Sequence, residues 1–179
     1  MSANLLDTPG PPFDALRRVV RALRGCAVPH VFVGGIALRA HGAAAELELV
    51  ACLRPADMPR FTAGVAGELG VVPGRPRLLY DLATQRPLQL VASGEPAGDR
   101  FEFPEVRQPD PDEALMLGGV PVPARWRLME LLLATGALEA AVALLHAGGE
   151  DAALQRRIHA SLRGRYDEVR AAVRPPWGE

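Results

Sequence analysis

The stretch from Val31 to Val50 reads VFVGGIALRAHGAAAELELV and decides the predicted fold. It begins with β-branched and aromatic residues, which predict a short buried strand over 28–33. The glycine pair Gly34-Gly35 then predicts a turn into a short helix over 36–40. Residues 46–52 alternate between polar and apolar side chains, and this period of two predicts a second, half-buried strand.

The second predicted strand carries two acids one residue apart, Glu46 and Glu48. Side chains at positions i and i+2 of a strand point to the same face, so these carboxylates are expected to project together. Adjacent carboxylates repel one another and are suited to hold Mg²⁺ jointly with the phosphates of a substrate. Gly34 and Gly35 would let backbone N–H groups approach those phosphates. The simpler alternatives are a solvated strand face and an ordinary turn.

The first strand, the glycine pair, the ten intervening residues and the Glu-x-Glu strand resemble the signature of the nucleotidyltransferase (polymerase-β-like) superfamily. The segment after the glycine pair ends in His41-Gly42, as in the minimal bacterial nucleotidyltransferases related to abortive-infection toxins. The resemblance follows the order of elements over about 28–147. It implies an α+β domain in which a short mixed β-sheet is flanked by helices and followed by a helical C-terminal layer.

The resemblance also implies a chemistry. Members of the superfamily transfer a nucleotide from a nucleoside triphosphate with the help of Mg²⁺. By position, Glu46 and Glu48 would be the catalytic, metal-binding carboxylates, and Gly34 and Gly35 would contact the nucleotide. A nucleoside triphosphate is therefore the implied ligand, with Mg²⁺ as the cofactor if the site is active.

Several positions depart from the family pattern. The first of the two acids is glutamate where aspartate is usual. The strand over 87–91 corresponds to the one that supplies a third acid in the family, and its matching residue is the neutral Gln89. The helix over 126–132 usually carries a lysine, and here that position is Leu132. Asp81, on the preceding predicted strand, is the candidate replacement as third metal ligand.

These departures leave three functional hypotheses. The first, which the missing charges favour, is a nucleotidyltransferase-like protein that has lost most of its catalysis and acts by binding a nucleotide or a partner. The second is an active Mg²⁺-dependent enzyme that uses Glu46, Glu48 and Asp81. The third is a non-enzymatic, antitoxin-like interaction module, in which the apolar helices over Leu128–Leu145 pair with another protein or with a second copy.

The remaining elements follow from hydrophobic periodicity and from the positions of glycine and proline. The predicted helices cover 13–25, 55–69, a pair interrupted at Gly136, and a last helix over 151–173. The other predictions are a hairpin over 77–92, a loop over 93–112 with a short strand near 101–103, and a hairpin over 115–122. We expect residues 1–12 to form a loose leader, 13–147 the nucleotidyltransferase-like domain, and 148–179 the C-terminal helix and tail of the same domain.

Composition narrows the function classes. The chain has 20 basic and 21 acidic residues, and this balance favours neither nucleic acid nor an anionic membrane as a partner. All basic residues are arginine, which excludes lysine Schiff-base and P-loop chemistry. Cys26 and Cys52 do not form a metal pattern, and no apolar run approaches the roughly 20 residues that span a bilayer. We therefore expect a cytoplasmic protein.

Overall fold

The computed structural model describes residues 4–65, 67–98, 102–148 and 152–173. Within these ranges the chain forms a five-stranded mixed sheet, a two-stranded ribbon and seven α-helices, which confirms the predicted α+β class. The strands of the sheet are β1 (His30–Phe32), β2 (Leu49–Leu53), β3 (Leu69–Val72), β4 (Arg75–Asp81) and β5 (Pro87–Ala92). The ribbon is the hairpin predicted around Gly118-Gly119, and it consists of β6 (Leu115–Leu117) and β7 (Val120–Val122).

The order of strands across the sheet is β1-β2-β5-β4-β3, with the parallel pair β2 and β5 at its centre. The other three pairings are antiparallel. In the observed register, Gln89 lies between Val50 on one neighbouring strand and Leu78 on the other. Because paired residues point to the same face of a sheet, these three side chains form one row across three strands.

The helices are α1 (Pro11–Gly25), α2 (Gly34–Ala40), α3 (Met58–Gly64), α4 (Arg125–Ala134), α5 (Leu138–Gly148), α6 (Ala152–Arg157) and α7 (Arg163–Val173). Proline is favoured in the first turn of a helix, and α1 begins with two prolines. The predicted apolar face of α1 is buried, including Leu16, Val19 and Leu23. The C-terminal helices pack on one another, α4 against α5 and α5 against α7, as a helical layer.

The two faces of the sheet differ in burial. Along β4 and β5, the residues Leu79, Leu88 and Leu90 are buried, and α1 packs near this side of the sheet. Gln89, which points to the opposite face, is exposed. One face therefore belongs to the core, and the other is open to solvent in its central row.

Residues 4–12, which the sequence predicts as part of a loose leader, make defined contacts with the rest of the fold. Leu5 begins a short 3-10 helix, is buried, and donates its backbone N–H to the carbonyl of Gly118 in the ribbon (2.8 Å). Arg17 of α1 donates to two carbonyls of this segment, at Leu6 and Thr8. The segment is tied down because an apolar side chain and several backbone groups find partners in the fold, which its proline content did not reveal.

The helix predicted over 55–69 ends earlier, at Gly64, and the chain then enters the unpredicted edge strand β3. Gly67 has a φ of +114°, which no α-helix accommodates. The spacing by four that suggested one helix, Phe61, Val65 and Leu69, does mark buried side chains. The burial pattern was therefore right, although two kinds of element share it.

The single helix predicted over 151–173 is also divided. Its predicted apolar positions Leu154, Ile158 and Leu162 are buried, but α6 and α7 are separated by a 3-10 turn. The backbone N–H of His159 donates to the buried carboxylate of Glu130 (2.9 Å), and the His159 imidazole caps Ser161. A side chain from α4 thus takes the hydrogen bond that would have continued the helix.

Residues 93–112 are predicted to form a loop, and their described part agrees with this, with an isolated β-bridge between Pro96 and Arg107. The short strand expected near 101–103 is absent at residues 102 and 103, and residue 101 lies outside the described ranges.

Candidate functional site

A cleft of about 630 Å³ opens where the sheet meets the first two helices. Its walls come from the start of α1, the last turn of α2, the segment 46–50, and the facing parts of β4 and β5. The predicted acids Glu46 and Glu48 line it, and so does Gln89 at the predicted third-acid position. Three positions of the sequence signature therefore meet in one cavity, within the 300–1,000 Å³ range usual for ligand pockets.

Glu46 and Glu48 do not lie within a strand as predicted, but in the extended segment just before β2. Both are exposed, whereas Leu47 between them is buried. The Glu48 N–H donates to the Glu46 carbonyl (3.1 Å), which closes a tight turn around Leu47. The two carboxylates consequently reach the same cleft, as the alternation of the sequence predicted, with local geometry that differs from a strand.

The glycine pair supports this acidic segment from behind. A Cβ on Gly35 would lie 1.9 Å from the Glu46 carbonyl oxygen and 3.0 Å from the Glu48 nitrogen. Only glycine therefore allows the backbone of α2 and the backbone of the acidic segment to approach this closely. Gly34 has a φ of +61°, and a Cβ there would lie 3.8 Å from a carboxylate oxygen of Glu48. Neither glycine lines the cleft. The structure therefore links the two halves of the signature by packing, and the nucleotide contact expected of the glycines stays a prediction.

Asp81, the predicted third metal ligand, lies on the core face of β4 and has no exposed area. The Arg18 guanidinium of α1 donates twice to its carboxylate (2.6 and 2.8 Å), and the Thr84 N–H donates a further bond. These hydrogen bonds, that from Arg18 first, hold the pKa of Asp81 at about 2 in spite of its burial. Asp81 thus joins α1 to the sheet, and the prediction that it completes a metal site with Glu46 and Glu48 does not fit this arrangement.

The cleft accordingly offers a metal ion fewer protein ligands than the three acids that the resemblance implies. Mg²⁺ takes six oxygen ligands, and the cleft offers two carboxylates and the neutral amide of Gln89. Across the described ranges, no group of three or more His, Cys, Asp or Glu side chains is placed to hold a metal. The residues present do not form a magnesium site on their own.

Two arginines that the sequence analysis did not single out line the same cleft, Arg39 and Arg86. Arg39, in the last turn of α2, donates its Nε–H to the Ala45 carbonyl (2.5 Å) and lies 5.8 Å from the centre of the Phe13 ring. Arg86 comes just before β5, after a turn in which Gln85 adopts a φ of +57°. Arg39 lies inside the signature, so the sequence could have indicated it as a residue of the site. No local pattern indicates that Arg86 belongs to the site.

His41, which ends the signature segment, lies outside the lining of the cleft. Its Nε2 is 2.9 Å from the Pro123 carbonyl, and its position between α2 and the start of α4 leaves it half-buried. Burial lowers the pKa of His41, so its imidazole is neutral near neutral pH and donates to that carbonyl. The His-Gly end of the signature therefore connects two parts of the fold and does not reach the site.

Comparison of the chain with protein-family models, with curated proteins and with solved structures finds no match. The resemblance to the nucleotidyltransferase superfamily therefore stays a prediction from the sequence signature. Within the described part of the chain, no helix has the length and apolarity required to cross a membrane.

Proposed function

We propose that this protein is a nucleotidyltransferase-like nucleotide-binding protein whose active site has lost catalysis. The observation that carries the proposal is the meeting of Glu46, Glu48 and Gln89 in one cleft. These are the three positions at which the superfamily signature places its acids. The cleft has the volume of a small-molecule site, and its lining mixes apolar side chains with a few charged groups, as nucleotide-sized ligands require.

The loss of catalysis follows from the third position. A neutral amide at Gln89 cannot replace a carboxylate in holding two metal ions around a reacting phosphate. Asp81 is already bound by Arg18 on the other face of the sheet. An active enzyme that uses Glu46 and Glu48 would need a further acid, and within the described residues the cleft lining contains none.

The interaction-module hypothesis has little support from the C-terminal helices. The apolar side chains of α4 and α5, such as Leu128, Leu132 and Leu144, are buried within the protein itself. Leu138 is an exception, with 38% of its area exposed. A partner that binds through α4 and α5 would have to displace contacts already made inside the protein.

The test is a calorimetric titration of the purified protein with ATP, GTP, CTP and UTP, with Mg²⁺ and with EDTA. We expect one or more nucleotides to bind, and Gln89→Trp to abolish binding, since an indole at this exposed strand position fills the cleft. Met116→Trp on β6, at a position 62% exposed and outside the cleft, is the matched control and should bind as the wild type does.

Incubation with α-labelled nucleoside triphosphates and Mg²⁺ should give no transfer of label to the protein or to added RNA. Failure of all four nucleotides to bind under either condition would remove the proposal. If Gln89→Trp binds nucleotide as the wild type does, the nucleotide lies outside the cleft, and this result would remove the proposal as well. Clear transfer of label would instead favour the active enzyme.

A further inference from the structure

We infer that the cleft binds the phosphate groups of its ligand without a divalent metal ion, through the guanidinium groups of Arg39 and Arg86. This inference rests on the proposed function and goes beyond it, because the superfamily chemistry uses metal ions for this task. It assigns the ligand class, a polyphosphate-bearing small molecule, to two residues to which the signature gives no role.

Arg39 is positioned before any ligand arrives. Its Nε–H is bound to the Ala45 carbonyl, and its half-buried side chain lies near the Phe13 ring. The bond at Nε leaves the two terminal nitrogens of the guanidinium for another acceptor. A cation fixed in this way loses little conformational entropy on binding, which raises its affinity for an anion.

Arg86 is fixed through its backbone. Its carbonyl accepts the N–H of Asp81 (2.8 Å), and Asp81 is itself held by Arg18. Pro87 follows and restricts the chain further. The side chain of Arg86 is half-buried and lines the cleft, as Gln89 does.

Neither arginine has a carboxylate partner within the described ranges, although Glu46 and Glu48 line the same cleft. Elsewhere in the chain, arginines such as Arg18, Arg54 and Arg77 are bound to acids. Two half-buried guanidinium groups that line one cleft without a carboxylate partner in the described ranges supply the planar, paired N–H donors with which arginine binds phosphate oxygens.

The carboxylates then have an effect opposite to that in the metal-dependent enzymes. When no metal ion is bound, the negative charge of the two acids repels phosphate. Neutralising them should therefore strengthen metal-free binding. A metal-dependent site predicts the reverse, because it would lose its ligands. The sign of this single effect separates the two mechanisms.

The experiment titrates the full chain with tripolyphosphate and with ATP, in EDTA and in Mg²⁺, by calorimetry. We expect the wild type to bind both in EDTA. The double variant Arg39→Gln/Arg86→Gln should weaken binding about tenfold per arginine, the scale of a hydrogen bond to a charged group. The double variant Glu46→Gln/Glu48→Gln should bind tripolyphosphate in EDTA about threefold more tightly or better.

The matched control is Arg157→Gln/Arg163→Gln, which removes two exposed arginines in the C-terminal region, outside the cleft. It should bind as the wild type does. Because loss of the Arg39 bond to Ala45 could disturb folding, Arg86→Gln is measured alone as well, with the unfolding midpoint of each variant. A loss of affinity in Arg86→Gln at an unchanged midpoint supports the inference.

Binding of ATP that occurs only with Mg²⁺ and is abolished by Glu46→Gln/Glu48→Gln would overturn the inference and leave the proposed function standing. Equal binding by the arginine double variant and the wild type would overturn it too. Absence of nucleotide binding under every condition would instead remove the proposed function, and the inference with it.

Discussion

Gln89 lies on β5 between Val50 and Leu78, and it lines the cleft together with Glu46 and Glu48. Its amide can offer an oxygen but no charge. Glutamate has nearly the same shape, so a substitution at this exposed position changes the charge of the cleft with little effect on packing. The residue is therefore the most direct probe of whether the cleft descends from a three-acid metal site.

We predict that Gln89→Glu creates a metal site. The third carboxylate completes an all-oxygen set with Glu46 and Glu48, so Mn²⁺ affinity should rise about tenfold or more. Calorimetric titration with Mn²⁺ measures the change. Gln155→Glu on α6, exposed and outside the cleft, is the matched control. Unchanged Mn²⁺ affinity in Gln89→Glu would contradict the correspondence of Gln89 with the family's third acid.

His30 is a second residue with a measurable consequence, this time for stability. Its ring is buried, its Nδ1 lies 3.0 Å from the Val28 carbonyl, and its Nε2 has no partner in the described part of the chain. Burial lowers the pKa of His30, as it lowers that of His41. Both imidazoles are therefore neutral in the folded protein at pH values where the unfolded chain already binds protons.

The free energy of unfolding should consequently be highest above about pH 6.5 and fall as the pH drops toward 5, since protons favour the unfolded chain there. His30→Phe removes one of these groups and should reduce the loss of stability between pH 8 and pH 5. Urea unfolding at the two pH values measures it. The contribution of Asp81, whose pKa is about 2, is lost only below about pH 4 and leaves this window unaffected. If His30→Phe loses as much stability between pH 8 and pH 5 as the wild type does, His30 is not a source of the acid sensitivity.

At the scale of elements, the contact between α2 and the segment before β2 determines where the acids point. Gly35 is the second residue of α2, and the Glu46 carbonyl oxygen occupies the space that a Cβ at Gly35 would fill. Ala45, in the same segment, also accepts the bond from Arg39 in the last turn of α2. Both ends of a seven-residue helix thus hold the segment that presents Glu46 and Glu48.

We predict that Gly35→Ala lowers the free energy of unfolding by about 1–3 kcal/mol or more, because a Cβ 1.9 Å from a backbone oxygen forces the two elements apart. Urea unfolding is the measurement. Gly164→Ala, within α7 and with no atom near its Cβ position, is the control and should be neutral or stabilising. A Gly35→Ala protein as stable as the wild type would show that the segment moves freely.

At the scale of the whole molecule, the cleft depends on parts of the chain that are distant in sequence. α1 and α2 form one side, and β4 and β5 form the other, while the parallel pairing of β2 with β5 places Val50 beside Gln89. The Arg18–Asp81 ion pair fastens α1 to the sheet. The site is thus assembled from residues between positions 12 and 89 that only the folded chain brings together.

The sequence alone determined the features that depend on local patterns. The period of two predicted that Glu46 and Glu48 share a side, and the helical spacing in α1 predicted its buried face. The hairpins over 77–92 and 115–122 followed from glycine, proline and β-branched residues. Even where the element was wrong, as at Leu69, the side chain predicted to be buried was buried.

Only the tertiary structure decided which polar groups pair across the fold. Asp81 looked available to a metal and is bound by Arg18, and Glu130 breaks the last helix by binding the His159 N–H. Arg86 reached the cleft without any local mark. The physical reason is that hydrophobic periodicity reports which side of an element is buried, whereas hydrogen bonds and ion pairs form between atoms that only the folded chain brings within 3 Å.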